Sequence, residues 1–135
     1  MPDRRGFLKV SLAAAAGLSI SGVSFASAES GSFPKGLIYT QDNPGRWSKK
    51  VKSHAPVVKI EQNKIIIETR HPMTEPHYIV RHTLVSREGE VFGEKTFYPA
   101  DKKALSVFDL PAGHPVCYAT SFCNKHDLWV TEFKV

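Results

Sequence analysis

Two cysteines are all that the 135 residues contain. That is too few for a Cys₄ zinc site or a disulfide framework. Charge of either sign is moderate, with 18 Lys and Arg against 13 Asp and Glu. The chain is therefore neither a disordered polyampholyte nor strongly basic. No charged residue interrupts the stretch from Val10 to Ala28. Beyond it, no ten-residue segment keeps a helical apolar period, and repeats, heptads and low-complexity tracts are missing. What remains is a chain long enough for one core without staples. It is also rich in one chemically useful residue, with six histidines.

The first 28 residues read as an export signal. Asp3-Arg4-Arg5-Gly6-Phe7-Leu8-Lys9 supplies a basic start, the following run is apolar, and Ala26-Ser27-Ala28 supplies small residues for cleavage. The arginine pair before Phe7-Leu8-Lys9 resembles a twin-arginine signal, which places the protein in the periplasm. An ordinary secretory signal is the plainer alternative. The 19 residues from Val10 to Ala28 also suffice for an uncleaved membrane anchor, although Ala, Ser and Gly make them weakly hydrophobic. Removing the signal lowers the net charge from +5 to +3. That balance is too mild for a nucleic-acid partner.

The rest predicts an all-β fold. Residues 29–53 form an N-terminal extension punctuated by Gly31, Pro34, Gly36 and Asn43-Pro44-Gly45, with Leu37-Ile38-Tyr39 as a short strand. Residues 54–135 form the main domain. Short β-branched runs occur at Val57–Ile60, Lys64–Thr69, Tyr78–Ser86, Val91–Tyr98, Ala104–Phe108, Val116–Phe122 and Leu128–Val135. Short strands separated by turn signals at this spacing suggest a β-sandwich.

Four histidines and one cysteine fall into three motifs: Ser53-His54-Ala55-Pro56, His71-Pro72-Met73-Thr74-Glu75-Pro76-His77 and Cys123-Asn124-Lys125-His126. All lie between predicted strands, where loops converge at one end of a sandwich. Pro72 and Pro76 keep the second motif out of helix and central strand. Cys-x-x-His is a common metal-binding spacing. Four imidazoles and a thiolate exceed what zinc normally takes, whereas imidazole also suits iron, copper and nickel. An N₄S iron would keep one position open for a small substrate.

These motifs resemble the signature of the superoxide reductases, the desulfoferrodoxin/neelaredoxin family, over roughly residues 50–135. The resemblance carries His71-Pro72-Met73-Thr74 to His77-Tyr78-Ile79, and Cys123-Asn124-x-His126 followed by Leu128-Trp129. Ser53-His54-Ala55-Pro56 is similar to the family's Glu-Lys-His-Val-Pro. The resemblance implies an immunoglobulin-like β-sandwich with the metal site in loops at one end. It implies one mononuclear non-haem iron, held by equatorial His54, His71, His77 and His126 and axial Cys123. It also implies one-electron reduction of superoxide to hydrogen peroxide at an open sixth position, with re-reduction by an electron donor protein that the sequence does not name. Relatives of this one-iron class are often homo-oligomers. The alternative is a non-catalytic iron-binding electron carrier or interaction module on the same fold.

Departures from the family pattern are specific. Its Glu-Lys pair reads Lys52-Ser53 here, and its usual Gly after the last histidine is Asp127. Lys52 is the candidate catalytic cation, and Lys49, Lys50 and Lys52 together would steer an anion. Ser53 would orient a water. His82 is expected as a packed or surface sheet histidine and His114 as a solvated loop residue. Cys117 is expected as a core thiol: six residues of extended strand hold it ~20 Å from Cys123, beyond disulfide reach. Trp47 and Trp129 are expected to pack, with Trp129 shielding the Cys123 sulfur.

Overall fold

The computed structural model describes residues 34–135. The expected export signal lies outside the described residues. Lys35–Val135 forms one compact unit. Its strands are β1 (Ile38–Tyr39), β2 (Val57–Glu61), β3 (Lys64–Thr69), β4 (Ile79–Ser86), β5 (Val91–Thr96), β6 (Ala104–Asp109), β7 (Val116–Cys123) and β8 (Asp127–Lys134). A 3₁₀ stretch, Gly45–Lys50, runs directly into a single-turn helix α1 (Val51–His54).

The strands make two sheets, ordered β1-β8-β7-β4-β5 and β2-β3-β6. All pairings are antiparallel except β1 with β8. The expected all-β sandwich is what the chain forms. β1 adds Tyr39 beside Trp129 on the edge of the larger sheet. Residues 35–53 of the expected extension are therefore built into the same unit.

Alternation of side chains along each strand decides what faces inward. Ile65, Ile67 and Thr69 are buried in β3, and Cys117, Ala119, Ser121 and Cys123 in β7. Cys117 and Cys123 share a face because they are an even number apart. The unbroken strand holds them apart, and both are free thiols.

The core is stratified. Ile65, Ile67, Leu84, Cys117 and Ala119 form one apolar cluster, and Ile79, Phe97, Ala104 and Cys123 form another. On β3, β4, β6 and β7 the inward residue between or beside these clusters is polar: Thr69, His82, Ser106 and Ser121, all at most 1% exposed. They satisfy one another. Thr69 Oγ1 lies 2.8 Å from His82 Nε2 and 2.7 Å from Ser121 Oγ, and His82 Nδ1 lies 2.8 Å from Ser106 Oγ. His82 is thus a packed sheet histidine. A third cluster, Tyr39, Ala55 and Trp129 with Trp47 and Val51 against it, seats α1 on the sheet.

Candidate metal centre

Three chain reversals at one end of the sandwich carry the five predicted ligands. The first differs from expectation. His54 lies not in a loop but at the end of α1, a helix too short to leave a period in the sequence. Ala55 ends the helix in extended conformation, as a residue before proline prefers. Ala55 N–H still donates to Val51 O at 2.9 Å, so His54 is held on a closed turn. Its ring is 1% exposed.

The second reversal leaves β3 at Thr69, whose carbonyl accepts the His71 N–H at 2.8 Å. Thr74 and His77 exchange both backbone hydrogen bonds, each 3.1 Å, and Thr74 Oγ1 donates to His77 O at 2.8 Å. The two prolines leave this segment irregular but not loose.

The third is the β7–β8 hairpin, in which Cys123 pairs with Asp127 across a three-residue loop. Three-residue hairpin loops typically close with a residue in the left-handed region. Asp127 has φ +68°, which accounts physically for glycine as the usual occupant. Aspartate is among the few side chains that adopt it readily.

The donor atoms converge. Ligand atoms of His54, His77, Cys123 and His126 all lie within 4.8 Å of one another. His77 Nε2 is 2.9 Å from His126 Nδ1, 3.2 Å from Cys123 Sγ and 3.0 Å from His71 Nε2, which brings in the fifth residue. Two rings have their tautomer set by carbonyls, which only accept. His54 Nδ1–H donates to Lys50 O at 3.1 Å, with Ser53 Oγ 2.7 Å away and itself donating to Lys50 O. His71 Nδ1–H donates to Pro72 O. Both Nε2 lone pairs are left facing the cluster. His54 Nε2 is the one buried side-chain polar atom among the described residues with no hydrogen-bond partner. An orphaned buried lone pair is costly unless something binds it. A metal ion at this point would do so, and the N₄S donor set fits iron.

Electrostatics favour the ligating forms of the rings. Burial lowers the His54 pKa to about 4, assisted by the nearby His71 and His126. Burial likewise is the first cause lowering His71, His77 and His126. Neutral imidazole is what coordinates a metal. Burial pushes the Cys123 thiol up, and a bound cation reverses that by deprotonating it.

The motif residues that are not donors also have places. Asn124 joins the second and third reversals: its Oδ1 accepts the Tyr78 N–H at 3.0 Å, its Nδ2 donates to Pro76 O at 3.1 Å, and its own N–H donates to Tyr78 O at 3.2 Å. Asp127 Oδ2 accepts from Arg46 Nη2 at 2.8 Å and from Trp47 Nε1 at 2.9 Å. The Trp47 ring meets His126 edge-on at 4.6 Å, and Trp129 Nε1 donates to His126 O at 2.9 Å. This clasp ties the N-terminal segment against His126.

A family model described as desulfoferrodoxin matches residues 46–132, and these span all three reversals. The chain belongs to the desulfoferrodoxin family. Its fold is that of the superoxide reductases. The neelaredoxin of Ignicoccus hospitalis is similar at 25% identity with a TM-score of 0.56, over 73% of this chain and 94% of that one. The superoxide reductase of Treponema pallidum is 30% identical with a TM-score of 0.52, over 62% of this chain and 67% of that one. The one-iron superoxide reductase of Giardia intestinalis shares the fold at 23% identity and a TM-score of 0.57, over 62% of this chain and 99% of that one. No curated protein matches by sequence.

Within this desulfoferrodoxin fold the expected catalytic cation lies apart from the five donors. Lys52 is exposed and lines a cleft whose walls include none of the five donors. Lys50 is the lysine of the basic run whose charge depresses His71, His77 and His126, and Lys125 adds to this at His77 and His126. A helical turn, rather than a loop, separates the side chains of residues 50 and 52 onto different faces. Lys125 sits inside the Cys-x-x-His motif, and the hairpin carries it to the same end.

Proposed function

We propose that this chain is a one-iron superoxide reductase, reducing superoxide to hydrogen peroxide by one electron and two protons. The observation that carries the reading is the meeting of four imidazoles and one thiol around the orphaned His54 Nε2. His54, His71, His77, His126 and Cys123 would hold the iron. Iron there supplies one-electron redox chemistry and a position for a small anion.

The chain's own residues do the rest. Lys50 O and Pro72 O hold two rings in the ligating tautomer. Asn124 fixes the spacing between the His77 and Cys123 segments. Trp47 and Trp129 keep water from the His126 flank. Lys50 and Lys125 place positive charge beside the cluster, which draws in an anion such as superoxide. The anion-attracting role that the resemblance gives to the family's lysine would fall to Lys50 and Lys125. The electron donor is a separate redox protein, and the twin-arginine-like segment would deliver the protein to the periplasm.

Metal analysis and pulse radiolysis test this. About one iron per chain is expected, with rapid loss of superoxide on the ferrous protein. Lys50→Glu should slow that reaction by roughly tenfold at low ionic strength and by less at high salt. Iron binding without reaction above a free-metal control would leave the non-catalytic carrier. Zinc alone would overturn the metal assignment.

A further inference from the structure

A cleft of about 800 Å³ opens not over the donor cluster but on the flank of α1 and β2. Two of its wall residues precede proposed ligands in the chain: Ser53 before His54, and Arg70 before His71. Ser53 Oγ touches His54 Nδ1 at 2.7 Å. From the cleft to the donor cluster is therefore one hydrogen bond and one imidazole ring. The remaining wall is apolar at Pro56, Val57 and Phe133. The rim is cationic. Lys52 makes no ion pair among the described residues, and Arg70 reaches only Glu68, at 3.9 Å. Neither Lys50 nor Lys125 lines this cleft.

We propose that this cleft is the docking surface for an acidic one-electron donor protein, and that reducing equivalents enter through Ser53 and His54. This rests on the iron-centre reading above. Three features select that occupant. An apolar floor with a cationic rim fits a protein surface with an acidic rim. The path to the cluster is short and bonded. And the cleft is lined by none of the five donors and by neither Lys50 nor Lys125, so a donor seated in it leaves those residues uncovered. The balance is simple: the donor loses one electron, the ferric centre gains it, and no proton or group is transferred.

The test uses the iron-loaded protein and a reduced acidic [2Fe–2S] ferredoxin as the donor probe. Stopped-flow absorbance follows bleaching of the ferric thiolate band, separately from any reaction with superoxide. Wild-type reduction should slow with rising salt. The double variant Arg70→Glu, Val57→Glu should be reduced roughly tenfold more slowly at low salt, and the control Arg87→Glu, in the exposed turn between β4 and β5, within twofold of wild type. The ferric band and the rate with superoxide should stay unchanged in the double variant, showing an intact centre. Reduction by dithionite, too small to need a docking surface, should also stay unchanged.

Unaltered ferredoxin reduction in the double variant would overturn the proposal, as would no reduction of wild type. So would slowing by Lys125→Glu alone, which would place the donor over the substrate side. A wild-type dimer that the double variant converts to monomer would assign the cleft to a second copy of the chain, and overturn it too. If the ferrous protein ignores superoxide while ferredoxin reduction still depends on the cleft, the reductase reading fails and the docking surface stands. If no iron binds, both fail.

Discussion

Cys117 and Cys123 are the same residue type on the same face of one strand, both buried. What separates them is their neighbours. Cys117 packs among Ile65, Leu84 and Ala119, whereas Cys123 Sγ sits 3.2 Å from His77 Nε2. Cys123→Ser should therefore abolish the thiolate-to-iron absorption band of the oxidised protein, and Cys117→Ser should leave it in place while lowering stability by about 1 kcal/mol or more. A band that survives Cys123→Ser and vanishes with Cys117→Ser would reverse the assignment. Asp127 makes a second case at this scale. Its left-handed backbone and two side-chain hydrogen bonds predict that Asp127→Val costs about 3 kcal/mol, from a β-branched residue at positive φ and two lost partners. Asp127→Asn should stay close to wild type, since asparagine tolerates the conformation and keeps an acceptor for Trp47. Chemical denaturation of the iron-loaded protein separates these outcomes.

At the level of elements, the strands were legible because each is a short β-branched run closed by a turn. Lys64–Thr69 has the bounds its composition predicts, and the β7–β8 reversal falls at the Cys-x-x-His spacing. α1 was not legible. A four-residue helix shows no periodicity, and its existence depends on Val51 and Ala55 finding Tyr39 and Trp129. That tertiary dependence is why sequence alone does not order the basic run: adjacency favours Lys52, which lines the neighbouring cleft, whereas the charge of Lys50 acts on His71, His77 and His126. Asn124 was visible only as a motif letter, and its three bonds to the preceding reversal explain why the second and third motifs hold a fixed distance. Asn124→Ala should accordingly lower iron retention against a chelator by several-fold without removing any donor. Asn124→Asp, which keeps the acceptor for Tyr78 N–H but loses the donor to Pro76 O, should fall between. Chelator competition followed by iron analysis measures both.

For the molecule as a whole, pH acts through the sandwich interior as well as the metal end. Burial, then the charge of Lys95, lowers the His82 pKa to about 4, below the ~6.5 of an unfolded histidine. The unfolded chain thus binds a proton that the folded one refuses. The His82 contribution is complete above pH ~6.5 and is lost as the pH falls toward and through 4, a loss on the order of 3 kcal/mol. Denaturant midpoints of the iron-loaded protein should drop across that window. His82→Gln should be less stable near neutrality but flatter with pH, so that the two curves approach each other in acid. Parallel curves would place the pH sensitivity elsewhere.

The polar stratum around His82 also answers a problem that alternation leaves open. An inward–outward pattern with a period of two forbids a strand from slipping by one residue, because the whole buried set would turn to solvent. It is blind to a slip of two, which returns apolar residues to apolar neighbours. Here such a slip on β3, β4, β6 or β7 would set Thr69, His82, Ser106 or Ser121 against Ile, Leu or Ala and strand its hydroxyl or imidazole. The layer is a registration mark written in hydrogen bonds. Because β3 runs into His71, β4 runs out of His77 and β7 ends at Cys123, the mark that aligns the sheets also aligns the residues they deliver to one point.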